Sequence, residues 1–201
     1  PVFEQAFREG GAANAMCSYN AIDGVPVSMD HQLLTDVLRG QFGMPGFVRA
    51  DMTAVSRLYD WHFVAETPKD AVRMGISAGV DMQLYDFPHE VWQGSLAELI
   101  ASGELDPAIL DEACRRVLRV KFRLGLFEHP YTDEHRAETV LRCPEHLALA
   151  RQIARESIVL LKNEGGLLPL DKHIGSVAVI GPGAAQAMLG DYTENRGRTG
   201  T

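Results

Sequence analysis

Short apolar runs alternate with helical patterns through the first half of the chain, the signature of parallel βα units whose helices cover a sheet. Three strands are predicted. Residues 12–18 are small and apolar, residues 46–50 run from Gly46 to the position before Asp51, and residues 80–84 follow Gly79 directly. Between the first two, Asp30 can cap a helix with Leu33, Leu34, Val37 and Leu38 on one face and Gly43 soon after its end. Between the last two, Thr67-Pro68-Lys69-Asp70 offers a capping hydroxyl, a proline at the first helical position and an early acidic residue. That pattern predicts a helix ending at Gly79.

The amphipathic pattern continues over residues 90–102. Asp106-Pro107 then starts a longer helix with Ile109, Leu110, Ala113, Val117, Val120 and Leu124 at helical spacing, ended by Gly125. Residues 128–144 hold Pro130, Pro144 and dense charge, and read as a connector. A new unit is expected beyond it, with a helix over residues 145–162 carrying Leu147, Ala150, Ile153, Ala154, Ile158 and Leu161. A β-branched strand over residues 176–180 should follow, running into Gly181-Pro182-Gly183. The chain holds no internal repeat and no low-complexity tract.

Composition narrows the classes. With 201 residues, 46% hydrophobic and 23% charged, the chain is globular in kind and long enough for one domain or parts of two. Its formal charge is −8 and its basic residues are scattered, which argues against a nucleic-acid surface and for an uncharged substrate. Cys17, Cys114 and Cys143 form no CxxC and no disulfide framework, so the redox compartment stays open. No run approaches the roughly 20 apolar residues of a membrane span. The chain opens on Pro1-Val2-Phe3 and stops at Gly200-Thr201, and both ends read as cuts in a longer protein. Neither compartment nor oligomeric state is encoded.

In parallel α/β architectures the reactive groups gather beyond the carboxyl ends of the strands, where loops vary while the sheet stays fixed. Three polar clusters fall there: Tyr19-Asn20, Asp51 and Tyr85-Asp86. Asp51 sits directly at its strand's end, which aims a carboxylate into a pocket. With a reference pKa of about 3.9 it is ionised at neutral pH and ready to attack an electrophilic carbon or bind a metal. An aspartate that merely caps a loop or helix fits the spacing as well. A metal site lacks partners, since His31, His62, His89, His129, His135, His146 and His173 form no HxH or HExxH pair and Asp81 lies inside its strand pattern. Gly181-Pro182-Gly183 has Gln186 at the third glycine position of a dinucleotide fingerprint, and a tight turn is the better reading. Cys17 lies within an apolar strand without a nearby histidine and reads as packing.

Met16-Cys17-Ser18-Tyr19-Asn20-Ala21-Ile22-Asp23-Gly24-Val25-Pro26 resembles a signature of glycoside hydrolase family 3. Further segments follow in the family's order. Leu33-Leu34-Thr35-Asp36-Val37-Leu38-Arg39-Gly40 and Gly46-Phe47-Val48-Arg49-Ala50-Asp51 resemble its helix and nucleophile strand, and Gly79-Val80-Asp81-Met82 its last barrel strand. Arg115-Arg116-Val117-Leu118-Arg119-Val120-Lys121-Phe122-Arg123-Leu124-Gly125-Leu126-Phe127 resembles the helix leaving the barrel, and Glu156-Ser157-Ile158-Val159-Leu160-Leu161-Lys162-Asn163 the entry into a second domain. The resemblance implies an α/β fold: the C-terminal part of a TIM-like (β/α)8 barrel over 1–127, a linker over 128–144, and the start of an α/β sandwich domain over 145–201.

It also implies roles. Asp51 matches the nucleophile, and Met16 and Tyr19 match side chains lining the pocket for the sugar ring. A retaining enzyme needs one carboxylate to form a covalent glycosyl intermediate and a second group to protonate the leaving oxygen and then activate water. The chain departs from the pattern at Ala50 and Met52, where the family usually has serine and an aromatic platform. Met52 keeps apolar contact with substrate but has no flat face. Arg49 stands where an apolar residue is usual and shares a strand face with Asp51, so an inward Arg49 would favour the ionised carboxylate. The acid/base glutamate is expected beyond Thr201; Glu164 and Glu194 match no such motif, and upstream sugar-binding Lys-His and Arg elements are absent.

The expectation is hydrolysis of terminal non-reducing β-D-glucosides or xylosides with retention, by a longer parent, without metal or cofactor and with a β-linked oligosaccharide or glycoside as partner. The segment alone should be inactive and fold poorly, because it would expose sheet edges. The competing readings are a non-catalytic carbohydrate-binding relative and a β-N-acetylglucosaminidase of the single-domain type. The second-domain entry at residues 157–163 counts against the latter. An aldolase-like or metal-dependent barrel would need a Schiff-base lysine or a ligand cluster that the sequence lacks.

Overall fold

The computed structural model describes residues 2–185 and 192, and divides the chain into one unit over Pro1–Asp133 and another over Glu134–Thr201. In the first, helix α1 (Val2–Arg8) leads into strand β1 (Asn14–Cys17), a hairpin of β2 (Ala21–Ile22) and β3 (Val25–Pro26), and a 3-10 turn over Val27–Met29. Asp23 and Gly24 join the hairpin with φ of 51° and 85°, the double positive φ of a type I′ turn. A π-helix over Gln32–Gln41 precedes β4 (Phe47–Ala50).

Strands β1 and β4 pair in parallel with Asn14 opposite Phe47 and Cys17 opposite Ala50. Gly46 is what lets them meet: a Cβ there would fall 1.7 Å from the Ala13 carbonyl oxygen. The third expected strand, residues 80–84, is reduced to a single parallel bridge between Arg49 and Met82. The cause is a side chain. The Val48 N–H donates to Asp81 Oδ2 at 2.8 Å, while the Asp81 N–H donates to the Val48 carbonyl and the Ala50 N–H to that of Met82. A carboxylate thus takes one place in the ladder.

The Asp81 side chain is 1% exposed and joins three elements, since Arg39 Nη2 of the π-helix bonds Oδ2 and Arg116 Nη1 bonds Oδ1 at 2.9 Å. Burial lowers the Arg39 guanidinium's pKa and Asp81 opposes that shift. Gly79, at φ 113°, makes room for this arrangement, because a Cβ there would meet Arg39 Nη1 and Thr35 Oγ1 at 2.6 Å. The helix expected from Asp30 does begin with an Asp30 cap, the Leu33 N–H donating to Oδ1 at 2.9 Å. Its bonds then run five residues back, as from Phe42 N–H to the Val37 carbonyl, so a π-helix replaces the α-helix. Arg39 takes part by donating to the Leu34 carbonyl.

Four α-helices complete the unit: α2 (Arg57–Asp60), α3 (Pro68–Ala78), α4 (His89–Ala101) and α5 (Pro107–Arg123). Helix α3 starts and stops as its sequence dictates, with the Asp70 N–H on Thr67 Oγ1 and a left-handed Gly79 at its end. Helix α5 is capped by Asp106, which accepts from the Ala108 N–H. Val48, Val55, Leu58, Val72, Val80, Leu99 and Leu105 form the buried core between strands and helices. Cys17 of β1 lines an apolar groove together with Phe7, Val27, Leu34, Leu38 and Phe42.

The second unit holds α6 (Arg136–Val140), α7 (Pro144–Glu156) and a 3-10 turn over Glu164–Gly166. Two expectations fail here. Helix α7 stops at Glu156 instead of reaching Lys162, because the β-branched pair Ile158-Val159 disfavours helix, and residues 158–161 are exposed and outside any helix or strand. Residues 176–180 form no strand, since no neighbour among the described residues pairs with them. Gly181-Pro182-Gly183 is a turn closed by the Ala184 N–H on the Gly181 carbonyl; Gln186 lies outside the described residues. No helix among the described residues is long and apolar enough to cross a membrane.

Candidate active site

Asp51 is the first residue beyond β4. Its N–H donates to the Cys17 carbonyl at 3.3 Å, which ties it to the end of β1, and its Oδ1 accepts the Met52 N–H at 2.7 Å, which turns the carboxylate back over its own loop. Strand alternation buries Val48 and Ala50 against the helices and leaves Arg49 and Asp51 on the opposite face. Met16 shares that face, opposite Arg49 in the β1–β4 register and half exposed.

Tyr19, two residues past β1, packs against the core. The Arg57 guanidinium lies 4.2 Å from its ring centroid, and the Tyr19 carbonyl lies 2.9 Å from His62 Nε2. Met52 is 52% exposed, and its carbonyl accepts the Thr53 hydroxyl. Asp51 and Tyr19 thus lie just past the carboxyl ends of two paired strands, with Met16 within β1 on the face that Arg49 shares and Met52 in the loop that follows Asp51. Arg49 does not turn to Asp51: its Nη2 lies 3.2 Å from Met16 Sδ, and no ion pair within 4 Å joins it to the carboxylate.

Three features escaped the sequence reading. Arg57 lies against both Tyr19 and Trp61, a pairing that the i, i+4 spacing of Arg57 and Trp61 on a helical turn signals. Asp86, noticed only as a polar residue after the third strand, is buried and accepts the N–H groups of Val55, Ser56 and Leu84. Burial raises its pKa while those donors hold it down. Asp81, read as one more strand residue, gave no sign of its two arginines. Thr53, Phe63 and Tyr85 all hold positive φ in the loops after the second and third strand positions.

Cys17 is buried and its thiol is pushed up to about 11, chiefly by burial, so it packs as a neutral group. Among the described residues no three His, Cys, Asp or Glu side chains cluster to hold a metal ion. Glu164 pairs with Lys162 at 3.2 Å within the second unit, and Glu194 lies outside the described residues.

The Glycosyl hydrolase family 3 N terminal domain matches residues 1–120, and the Glycosyl hydrolase family 3 C-terminal domain matches residues 158–199. The chain belongs to glycosyl hydrolase family 3. It is 40% identical over 179 residues to a periplasmic β-glucosidase of Salmonella typhimurium, covering 87% of this chain and 23% of that protein. A β-xylosidase of Formosa agariphila is 38% identical over 191 residues, 92% of this chain and 26% of that one. A β-glucosidase structure from Erythrobacter marinus superposes with a TM-score of 0.76 at 42% identity, over 84% of this chain and 22% of that one. The family 3 chain thus spans about a quarter of the length of the curated relatives it matches. Its α/β architecture is the C-terminal part of a TIM-like barrel followed by the start of an α/β sandwich.

Proposed function

We propose that the protein containing these residues hydrolyses terminal non-reducing β-D-glycosides, glucosides or xylosides, with retention of configuration through a covalent glycosyl intermediate on Asp51. The observation that carries the reading is the placement of Asp51: a carboxylate at a strand's carboxyl end, oriented by the Met52 N–H, on the face that also presents Met16. Among the described residues the one hydrogen bond to the Asp51 carboxylate falls on Oδ1, which leaves Oδ2 to attack an anomeric carbon. Tyr19 and Met16 supply the hydrogen-bonding and apolar walls for the sugar ring, and Met52 supplies apolar contact beside it. The acid/base group comes from outside residues 1–201. The barrel portion is assigned to 1–127, the linker to 128–144 and the sandwich to 145–201.

The test uses the full reading frame. Wild-type protein is expected to turn over aryl β-glucoside or β-xyloside and to carry a 2-fluoro sugar on the peptide containing Asp51 after trapping. Asp51→Asn is expected to lose at least about 1,000-fold in kcat, the scale of removing a group that acts in the transition state. Near-wild-type turnover by Asp51→Asn would sink the nucleophile assignment, and sugar binding without turnover by the wild type would favour a carbohydrate-binding relative.

A further inference from the structure

We propose that Asp86 and Ser28 are positioning residues for Asp51, gripping the segment that follows it so that its carboxylate is presented in one place; this rests on the glycosidase reading above. Asp51 is followed by a run of turns over residues 52–56 before any helix begins. The turns close on the Asp51 carbonyl, which accepts the Ala54 N–H at 2.9 Å, and on the Thr53 carbonyl, which accepts the Ser56 hydroxyl and the Arg57 N–H. Thr53 sits at φ 64°, in the left-handed region that a β-branched residue disfavours, so the segment does not hold this shape by itself.

What holds it comes from two distant places in the chain. Asp86 accepts the N–H groups of Val55 and Ser56 on Oδ1 and that of Leu84 on Oδ2, and the Thr53 N–H meets the Leu84 carbonyl at 3.0 Å. Ser28, in the 3-10 turn after β3, donates its hydroxyl to the Ala54 carbonyl at 3.0 Å. Asp86 and Ser28 are buried, and so are Ala54 and Val55. A donor or acceptor left unpaired there loses its partner without gaining water, so each of these bonds restrains more than a surface bond would.

The route from this grip to Asp51 is short. Ala54, held at its carbonyl by Ser28, holds the Asp51 carbonyl through its own N–H, while the Asp51 N–H is fixed to the Cys17 carbonyl. The backbone of Asp51 is thus anchored before it by β1 and after it by the gripped segment. Attack on an anomeric carbon needs that anchoring, because a misplacement of about 1 Å costs on the order of 100-fold in rate.

The experiment isolates the covalent step in the full-length protein, using the 2,4-dinitrophenyl 2-deoxy-2-fluoro-β-glycoside of the sugar that the wild type releases. Asp51 Oδ2 bonds to the anomeric carbon while dinitrophenolate leaves with the bonding electron pair, and no proton is needed from the acid/base group. Intact mass gives the fraction of molecules labelled, and time courses give the inactivation rate constant and the half-saturating concentration. Asp86→Asn keeps the shape but accepts on one side only, its amide hydrogens meeting a backbone N–H on the other. Its rate constant is expected to fall about 30-fold with half-saturation within about twofold of wild type. Ser28→Ala, which tests the same grip should Asp86→Asn not fold, is expected to lose about threefold in the rate constant alone. A wild-type rate constant in either variant, whether all of its molecules or only a smaller fraction take up label, would overturn the positioning. Wild-type protein that takes up no label, or takes it away from Asp51, would overturn the glycosidase reading first, which separates the two failures.

Discussion

Arg49 and Asp51 are two positions apart on one strand face, yet they are not partners. Arg49 spends its guanidinium on Met16 Sδ, while Asp51 takes its orientation from a backbone N–H one residue on. Arg49→Val in the full-length protein is therefore expected to leave the acid limb of the kcat/KM profile within about half a pH unit of wild type, measured with an aryl glycoside; a shift of a full unit would require a direct charge interaction of about 1.4 kcal/mol. The role proposed for Asp51 was approachable from sequence because strand ends are where such groups collect. Asp81 was not, because alternation names the face a residue shares but not the cations that two distant helices bring to it.

At the scale of elements, Asp86 is the clamp on the loop that carries Asp51. Its Oδ1 holds the Val55 and Ser56 N–H groups and its Oδ2 the Leu84 N–H, while the Thr53 N–H reaches the Leu84 carbonyl. Burial holds its folded pKa above the ordinary aspartate value of 3.8, so between that value and the raised one the folded state binds more protons than the unfolded state. Stability linked to this group is present below that window and is lost as pH rises through the folded pKa. In thermal melts from pH 3.5 upward, Asp86→Asn is expected to remove that downward component, seen as a wild-type-minus-variant difference in Tm that falls with pH. A difference that stays flat would count against it. Helices α3 and α5 were legible because their caps are local chemistry. The π-helix and the single-bridge third strand were not, since Arg39 and Asp81 rewrite their backbone bonding from afar.

For the whole molecule, the alternating βα pattern and the ordered motifs carried the architecture, whereas the second unit's expected strand needs neighbours that no local pattern supplies. The first unit carries an apolar groove lined by Cys17 of β1 together with Phe7, Leu34 and Phe42, and β1 pairs only with β4 among the described residues. Residues 1–201 expressed alone are therefore expected to bind a hydrophobic dye at native pH and to sediment as associated species. A monodisperse, dye-silent monomer would refute this. The internal order of the unit has a different source. Strands ordinarily slip in steps of two residues with their faces unchanged, but a carboxylate gripped by arginines from two separate helices has only one seat. Asp81 is in that sense an index mark, cut once, which sets where along β4 the neighbouring segment stops, and with it how far the loops carrying Asp51 and Asp86 stand from one another.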